Sequence, residues 1–127
     1  MKKKTNPTVY EDGFLLAVPK KNIEAYRKLA KEGAKIWMEY GALEYRECVG
    51  DDLNRKGSVS FRRVMKAKPT ETIVFSWIVY KSKKQRNEVN KKIMKDPRMD
   101  KMPNPMAFDM KRMAYGGFQV LVEAMAK

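Results

Sequence analysis

Five polar residues stand among apolar neighbours in this chain and have side chains able to do chemistry: Asp12, Tyr45, Glu47, Asp109 and Arg112. Asp12 precedes Gly13 in the largely apolar run from Val9 to Val18. Burial there raises a carboxyl pKa and suits it to general-base work; the competing reading is a bound or solvated carboxylate at a strand start. Tyr45 and Glu47 lie two apart in an alternating segment, so they share one strand face and can orient a small polar substrate. A wet sheet edge, or a hydrogen-bonded pair at a dimer interface, fits the same spacing. Arg112 can clamp a carboxylate or phosphate bidentately with Asp109 holding it, or can form an internal ion pair that pins a loop to the sheet.

The chain's absences bound that chemistry. It has no histidine and one cysteine, Cys48. This removes the usual zinc and iron sites, the histidine-dependent nucleophile arrangements and any intrachain disulfide. Tyr or Cys48 would be the remaining heme ligands. No metal and no cofactor is expected, and a reaction would rest on a carboxylate or tyrosine base or on the substrate's own reactivity. Cys48 itself reads as a small buried hydrophobe or as a reactive thiolate near Arg46. Trp37 and Trp77 fall at core spacing.

The formal charge of +13 favours anionic partners: a small anionic ligand or nucleic acid. It concentrates in residues 81–95, where Lys83, Lys84, Lys91 and Lys92 are the candidate polyanion contacts and Glu88 is the one acid. A solvated lysine surface explains the same charge. Lysine outnumbers arginine 20 to 8, aromatics are not interleaved with this segment, and no RNA-binding signature accompanies it. The longest apolar runs fall well short of the roughly 20 residues of a membrane span. The basic start is followed by no apolar leader, so no membrane association and a cytoplasmic protein are expected.

These residues need a scaffold, and the periodicity supplies one. Residues 1–7 read as a flexible basic arm and 8–127 as one domain. A strand is expected over Val9–Val18. A helix follows over Lys21–Tyr40, with Ile23, Tyr26, Ala30, Ala34 and Trp37 on its buried stripe and Gly41 as its stop. Leu43–Val49 alternates as an edge strand, and Val59–Met65 reads as a short irregular strand. Thr72–Tyr80 is β-branched and aromatic on both faces, the clearest strand of the chain. Ser82 and Gln85 form a capping box for a helix to about Lys95. Residues 98–110, with Pro103, Pro105 and four methionines, read as a long packed loop with one helical turn. A last strand over Met113–Val122 is interrupted by Gly116–Gly117, a bulge or a close backbone approach.

The order β-α-β-β-α-β is that of a ferredoxin-like α+β sandwich, an antiparallel sheet with its helices on one face. The first and third strands are expected in the centre, parallel to each other, with the second and fourth at the edges. Residues Ile73, Phe75, Trp77 and Val79 alternate with Val74, Ile78 and Tyr80, and two helices on one side cannot cover both sets. A second copy stacked sheet to sheet, a two-fold homodimer, is therefore expected. Any ligand site is expected between the sheet and the loop 98–112.

The stretches Asp12-Gly13-Phe14, Gly41-Ala42-Leu43-Glu44-Tyr45, Val74 through Ser82, Phe108 through Met113 and Tyr115-Gly116-Gly117-Phe118 resemble the YbaA-like family of bacterial proteins of unknown function. The resemblance runs from about Val9 to Glu123. It implies the dimeric α+β barrel superfamily and no established activity. Structural relatives in that superfamily include cofactor-independent oxygenases and small isomerases, which is fold-level analogy. The expected function is thus that of an uncharacterised, small-molecule-binding dimer. The alternatives are a cofactor-independent small enzyme and an RNA-binding module that uses the basic second helix.

Overall fold

The computed structural model describes residues 9–102 and 107–126, and the basic arm expected over residues 1–7 lies outside them. The elements are β1 (Tyr10–Pro19), α1 (Ile23–Glu39), β2 (Glu44–Val49), α2 (Phe61–Val64), β3 (Glu71–Tyr80), α3 (Lys83–Ile93) and β4 (Ala114–Gln119). The four strands form one sheet in the order β2-β3-β1-β4, an α+β fold. No helix among the described residues is long and apolar enough to cross a membrane.

The two strands that are apolar on both faces, β1 and β3, take the centre and pair over ten residues from Tyr10↔Tyr80 to Pro19↔Glu71. They run antiparallel, not parallel as expected. Each helical crossover brings the chain back in the same direction but one place further along the sheet. The vacant place is filled by a strand of the other half, which runs the opposite way. Every neighbouring pair is therefore antiparallel.

The register assigns the faces. Asp12, Phe14, Leu16 and Val18 of β1 share a face with Val74, Ser76, Ile78 and Tyr80 of β3. Against that face, α1 brings Tyr26 and the fully buried Ile36, and α3 brings Val89 and Ile93. The helix α1 is amphipathic, but its most buried residues are Tyr26, Gly33 and Ile36, a stripe rotated from the expected one. Gly41, at φ +113°, ends the turn that follows α1, a conformation costly for any residue with a Cβ. The N-cap of α3 is as expected: the Ser82 hydroxyl accepts from the Gln85 N–H at 3.1 Å. The return bond goes elsewhere, because Gln85 Oε1 accepts from the Lys81 N–H at 2.6 Å while its Nε2 donates to the Gly41 carbonyl at 2.9 Å.

The other face carries Leu15, Ala17, Ile73, Phe75, Trp77 and Val79. Part of it is covered by the segment read as an irregular strand, which is instead the single helical turn α2. Ser60 caps this turn by accepting from the Arg63 N–H at 3.1 Å, which explains why the alternation of Val59 and Phe61 misleads. Met65 then packs on Ala17 and Ile73. The rest of the face is open: Phe75 is 47% exposed and Phe118 62%. Cys48, across from Phe75, is exposed on this side too, not a buried hydrophobe. Nor does β4 bulge, since Gly116 and Gly117 stay in register with Gly13 and Asp12; of the two readings Gly117 is the close approach, with no room for a Cβ beside Tyr10 and Arg86.

One ion pair ties the start of β4 to the start of β3. Arg112 Nη1 donates to Glu71 Oε2 at 2.7 Å and Nη2 to Oε1 at 3.0 Å, and Nη2 also reaches the carbonyls of Met65 and Lys66. Glu71 is buried and accepts a further bond from the Lys68 N–H at 2.8 Å. The Arg112 hydrogen bonds, then the Lys68 amide, hold its carboxyl pKa down at about 2 against an ordinary 4.5. A depressed carboxyl contributes stability above its unfolded pKa and loses it as pH falls towards the folded one. Glu71→Gln is expected to cost about 3 kcal/mol at neutral pH. Urea titrations from pH 5 down to pH 2 should show the wild type losing this advantage while the variant's stability changes less.

Candidate functional site

A cavity of about 190 Å³ lies between the helix-covered face of the sheet, α1 and the segment leading into β4. It has the volume of about six liquid waters. Its floor includes Phe14 of β1 and Ser76 and Ile78 of β3. Tyr26, Ala30 and Trp37 of α1 form one wall. Met99, Met102, Phe108 and Met113 close it from the connection between α3 and β4. Small residues on α1 open this space, and Gly33 is the tightest of them: a Cβ there would stand 3.0 Å from the Tyr45 hydroxyl.

The polar end of the cavity comes from β2. Tyr45 and Glu47 face inward opposite Ile78 and Ser76. The Glu47 carboxylate accepts two hydrogen bonds, from Tyr26 Oη to Oε1 at 2.7 Å and from Tyr45 Oη to Oε2 at 2.8 Å. Burial first, and the Glu47 charge second, push the pKa of both tyrosine hydroxyls above the usual value, so both stay protonated as donors. Each Glu47 oxygen keeps a second lone pair for an incoming donor. Arg46 also borders the cavity, with its guanidinium Nε 3.6 Å from Glu44 Oε2.

The other expected site residues lie elsewhere. Asp12 sits on the same face, in one cross-strand row with Ile78 and Tyr45, but it does not line the cavity. It is 1% exposed, with Oδ1 3.5 Å from Arg86 Nε. Burial raises its pKa, and Arg86, Tyr115 and Asn90 offset this only in part. Asp109 is exposed and caps the 3-10 turn Met110–Arg112, accepting from the Lys111 N–H at 3.0 Å. Arg112 is held by Glu71 and not by Asp109, the internal ion pair of the two readings. Tyr45 and Glu47 alone of the five meet in the cavity. Lys83, Lys84, Lys91 and Lys92 are exposed along α3. Among the described residues, no three His, Cys, Asp or Glu side chains are placed to hold a metal ion.

Tyr26 is the site residue that sequence reasoning missed, having read it as a core residue of the α1 stripe. Its signal was its company. A tyrosine in a buried stripe needs a partner for its hydroxyl, and an inward carboxylate on the adjacent strand supplies one.

The family model described as protein of unknown function (DUF1428) matches residues 9–110. The chain belongs to that family. It is also 44% identical over 114 residues to the uncharacterized protein YbaA of Escherichia coli K12, covering 90% of this chain and 97% of the relative. The uncharacterized protein YbaA of Shigella flexneri matches at the same identity and coverage. The family match takes in β1 through α3 and ends at Met110, so it includes the cavity's polar end of Tyr26, Tyr45 and Glu47.

Tyr26→Phe and Tyr45→Phe each remove one charge-assisted bond to Glu47 and are expected to lower stability by about 1.5–2 kcal/mol. The double variant, which strips Glu47 of both donors, should lose more than the sum of the two. Denaturant unfolding of all four proteins measures the difference directly.

Proposed function

We propose that this protein is a small-molecule-binding homodimer of the ferredoxin-like, dimeric α+β barrel type. In this reading each copy holds an apolar ligand whose hydrogen-bond-donating or cationic group faces Glu47. The single observation that carries it is the carboxylate at the end of an otherwise apolar cavity, positioned by two tyrosine hydroxyls. A pocket with apolar walls and a few convergent polar groups is the usual form of a ligand site. The methionines that close it repack at little cost, so the site adapts to its occupant. The lining contains no histidine, and the tyrosines are firmly protonated, which favours binding over proton abstraction. Arylalkylamines are expected to raise the melting temperature more than arylalkyl carboxylates of the same shape, and Glu47→Gln should erase that preference. Equal or better stabilisation by the carboxylates would overturn it.

The dimer reading rests on the open sheet face. Phe61 stacks near Phe75 at 6.2 Å and Phe75 near Trp77 at 5.3 Å, forming an aromatic strip with Phe118 further along the same face. Exposed apolar area of this kind calls for a partner surface, and a second copy presents a matching one under two-fold symmetry. The C-terminal segment adds to it, with Leu121 94% and Val122 83% exposed. Light scattering is expected to give about twice 14.8 kDa. Phe75→Lys should shift the protein to a folded monomer or reduce its stability in a concentration-dependent way. A wild-type monomer at micromolar concentration would remove this part of the reading.

The basic helix α3 favours a second reading, polyanion binding. Every ion pair among the described residues uses arginine, and the α3 lysines have no carboxylate partner. In this reading Lys83, Lys84, Lys91 and Lys92 contact a nucleic acid backbone, with an affinity that falls steeply with salt. Replacing the four with alanine should flatten the salt dependence of RNA binding. No binding at low salt would leave them a solvated surface.

A further inference from the structure

A second space adjoins the cavity at Glu47. It is an open groove of about 480 Å³ between α1 and the edge strand β2. Tyr26, Ala30, Tyr45 and Glu47 line both the groove and the cavity, so the Glu47 carboxylate stands at their boundary. The two spaces differ in character. The cavity is lined mainly by apolar side chains, whereas the groove brings two cations of α1, Arg27 and Lys31, to its lip.

These cations are available to a ligand. They stand four residues apart on α1, and therefore on one side of the helix. Lys31 is exposed and has no carboxylate partner among the described residues. Arg27 meets Glu24 through Nε, at 3.3 Å, with the two side chains 71% and 72% exposed. Such a pair is weak, and it leaves both Nη groups of Arg27 for another acceptor. Glu47 is the one acid in the lining of the groove. Charge thus changes sign across a short path, from the carboxylate at the boundary to the cations outside it.

The cavity adds a third requirement. An apolar cavity of roughly 150 Å³ admits a benzene ring. This one has about 190 Å³, and its methionines adapt to an occupant. We propose that the site takes a free α-amino acid with a large apolar side chain. The side chain lies in the cavity, the ammonium on Glu47 and the carboxylate in the groove against Lys31 and Arg27. The three ammonium protons match the acceptors present. These are the open lone pairs of the two Glu47 oxygens and those that Tyr26 Oη and Tyr45 Oη keep after donating. The single carbon that joins the three groups sits at the boundary. A simple amine satisfies Glu47 and the cavity but leaves the groove cations unpaired. The inference rests on the cavity reading, whose ligand class it names, and the probes separate the two.

The experiment compares L-phenylalanine, L-phenylalaninamide and phenethylamine by calorimetry and thermal shift, at low salt and about pH 6, where all three amines are protonated. All carry the ring and the cation. Only phenylalanine adds a carboxylate, and the amide matches its size without the charge. Phenylalanine is expected to bind about fivefold tighter than either, the yield of one or two exposed charge contacts. Added salt should shrink that ratio. In the double variant Arg27→Ala, Lys31→Ala the ratio should fall to about one, and in Lys31→Glu it should invert. Both positions are exposed on α1, so these changes leave the core intact. Equal or weaker binding of phenylalanine by the wild type would overturn the inference and leave the cavity reading standing. A preference for phenylalanine that persists in the double variant would place the carboxylate elsewhere and overturn it as well. If neither phenylalanine nor phenethylamine binds, the cavity reading itself is lost.

Discussion

The central strand β3 is apolar on both of its faces, while the two long helices of the chain lie on one side of the sheet. Most of the structure follows from that imbalance. A strand of this kind is stable only in the interior of a sheet, so β3 takes the centre with β1, its one equal in length and apolarity. The less apolar strands β2 and β4 are left for the edges. On the covered side, α1 and α3 bury Ile36, Val89 and Ile93 against Ile78 and Tyr80. On the other side the turn α2 and Met65 reach only as far as Ala17 and Ile73, and the aromatic strip beyond them stays exposed.

The covered side is also where the polar residues gather. Helix α1 crosses β2 on small residues, and this leaves a gap that no side chain fills. Glu47 and Ser76 stand on the sheet beside this gap, Tyr26 descends from the helix, and the carboxylate is bonded by the two nearest hydroxyls. The same layer contains Asp12, Arg86, Tyr80 and Trp37, drawn from four different elements, with Asp12 Oδ1 3.5 Å from Arg86 Nε. A core optimised for stability alone would place aliphatic residues at both positions. The polar groups are local departures from good packing that the surrounding hydrophobic clusters offset.

Charge is divided by residue type. Arginines are tied into the structure: Arg112 to Glu71, Arg98 to Asp96 and Glu39, and Arg86 to Tyr10 and Asp12. Their planar guanidinium forks suit fixed, multidentate contacts. The lysines among the described residues, strongly hydrated point charges, stay in solvent. The net charge of +13 is therefore carried mainly on the surface, concentrated on α3, and contributes little to how the chain folds.

Local periodicity in the sequence was enough to determine the four strands, the two long helices, their order and the central place of β1 and β3. Each of these depends on neighbours in the chain: alternation in Leu43–Val49, a helical stripe before Gly41, a serine cap before Gln85. The shared face of Tyr45 and Glu47 was legible for the same reason, since a strand's period of two settles it. What the sequence could not supply were pairings across distance. Glu71 and Arg112 are 41 positions apart, and nothing near Arg112 distinguishes Glu71 from the adjacent Asp109. Tyr26 reads as core until β2 is placed beneath it, and whether Asp12 is buried or solvated stays open until α3 covers it with Arg86. Ser60–Met65 alternates like a strand, but its cap and its packing on Ile73 make it a helical turn. Contacts of this kind are decided when separate elements compete for the same volume, and only the folded sheet fixes which side chains arrive there.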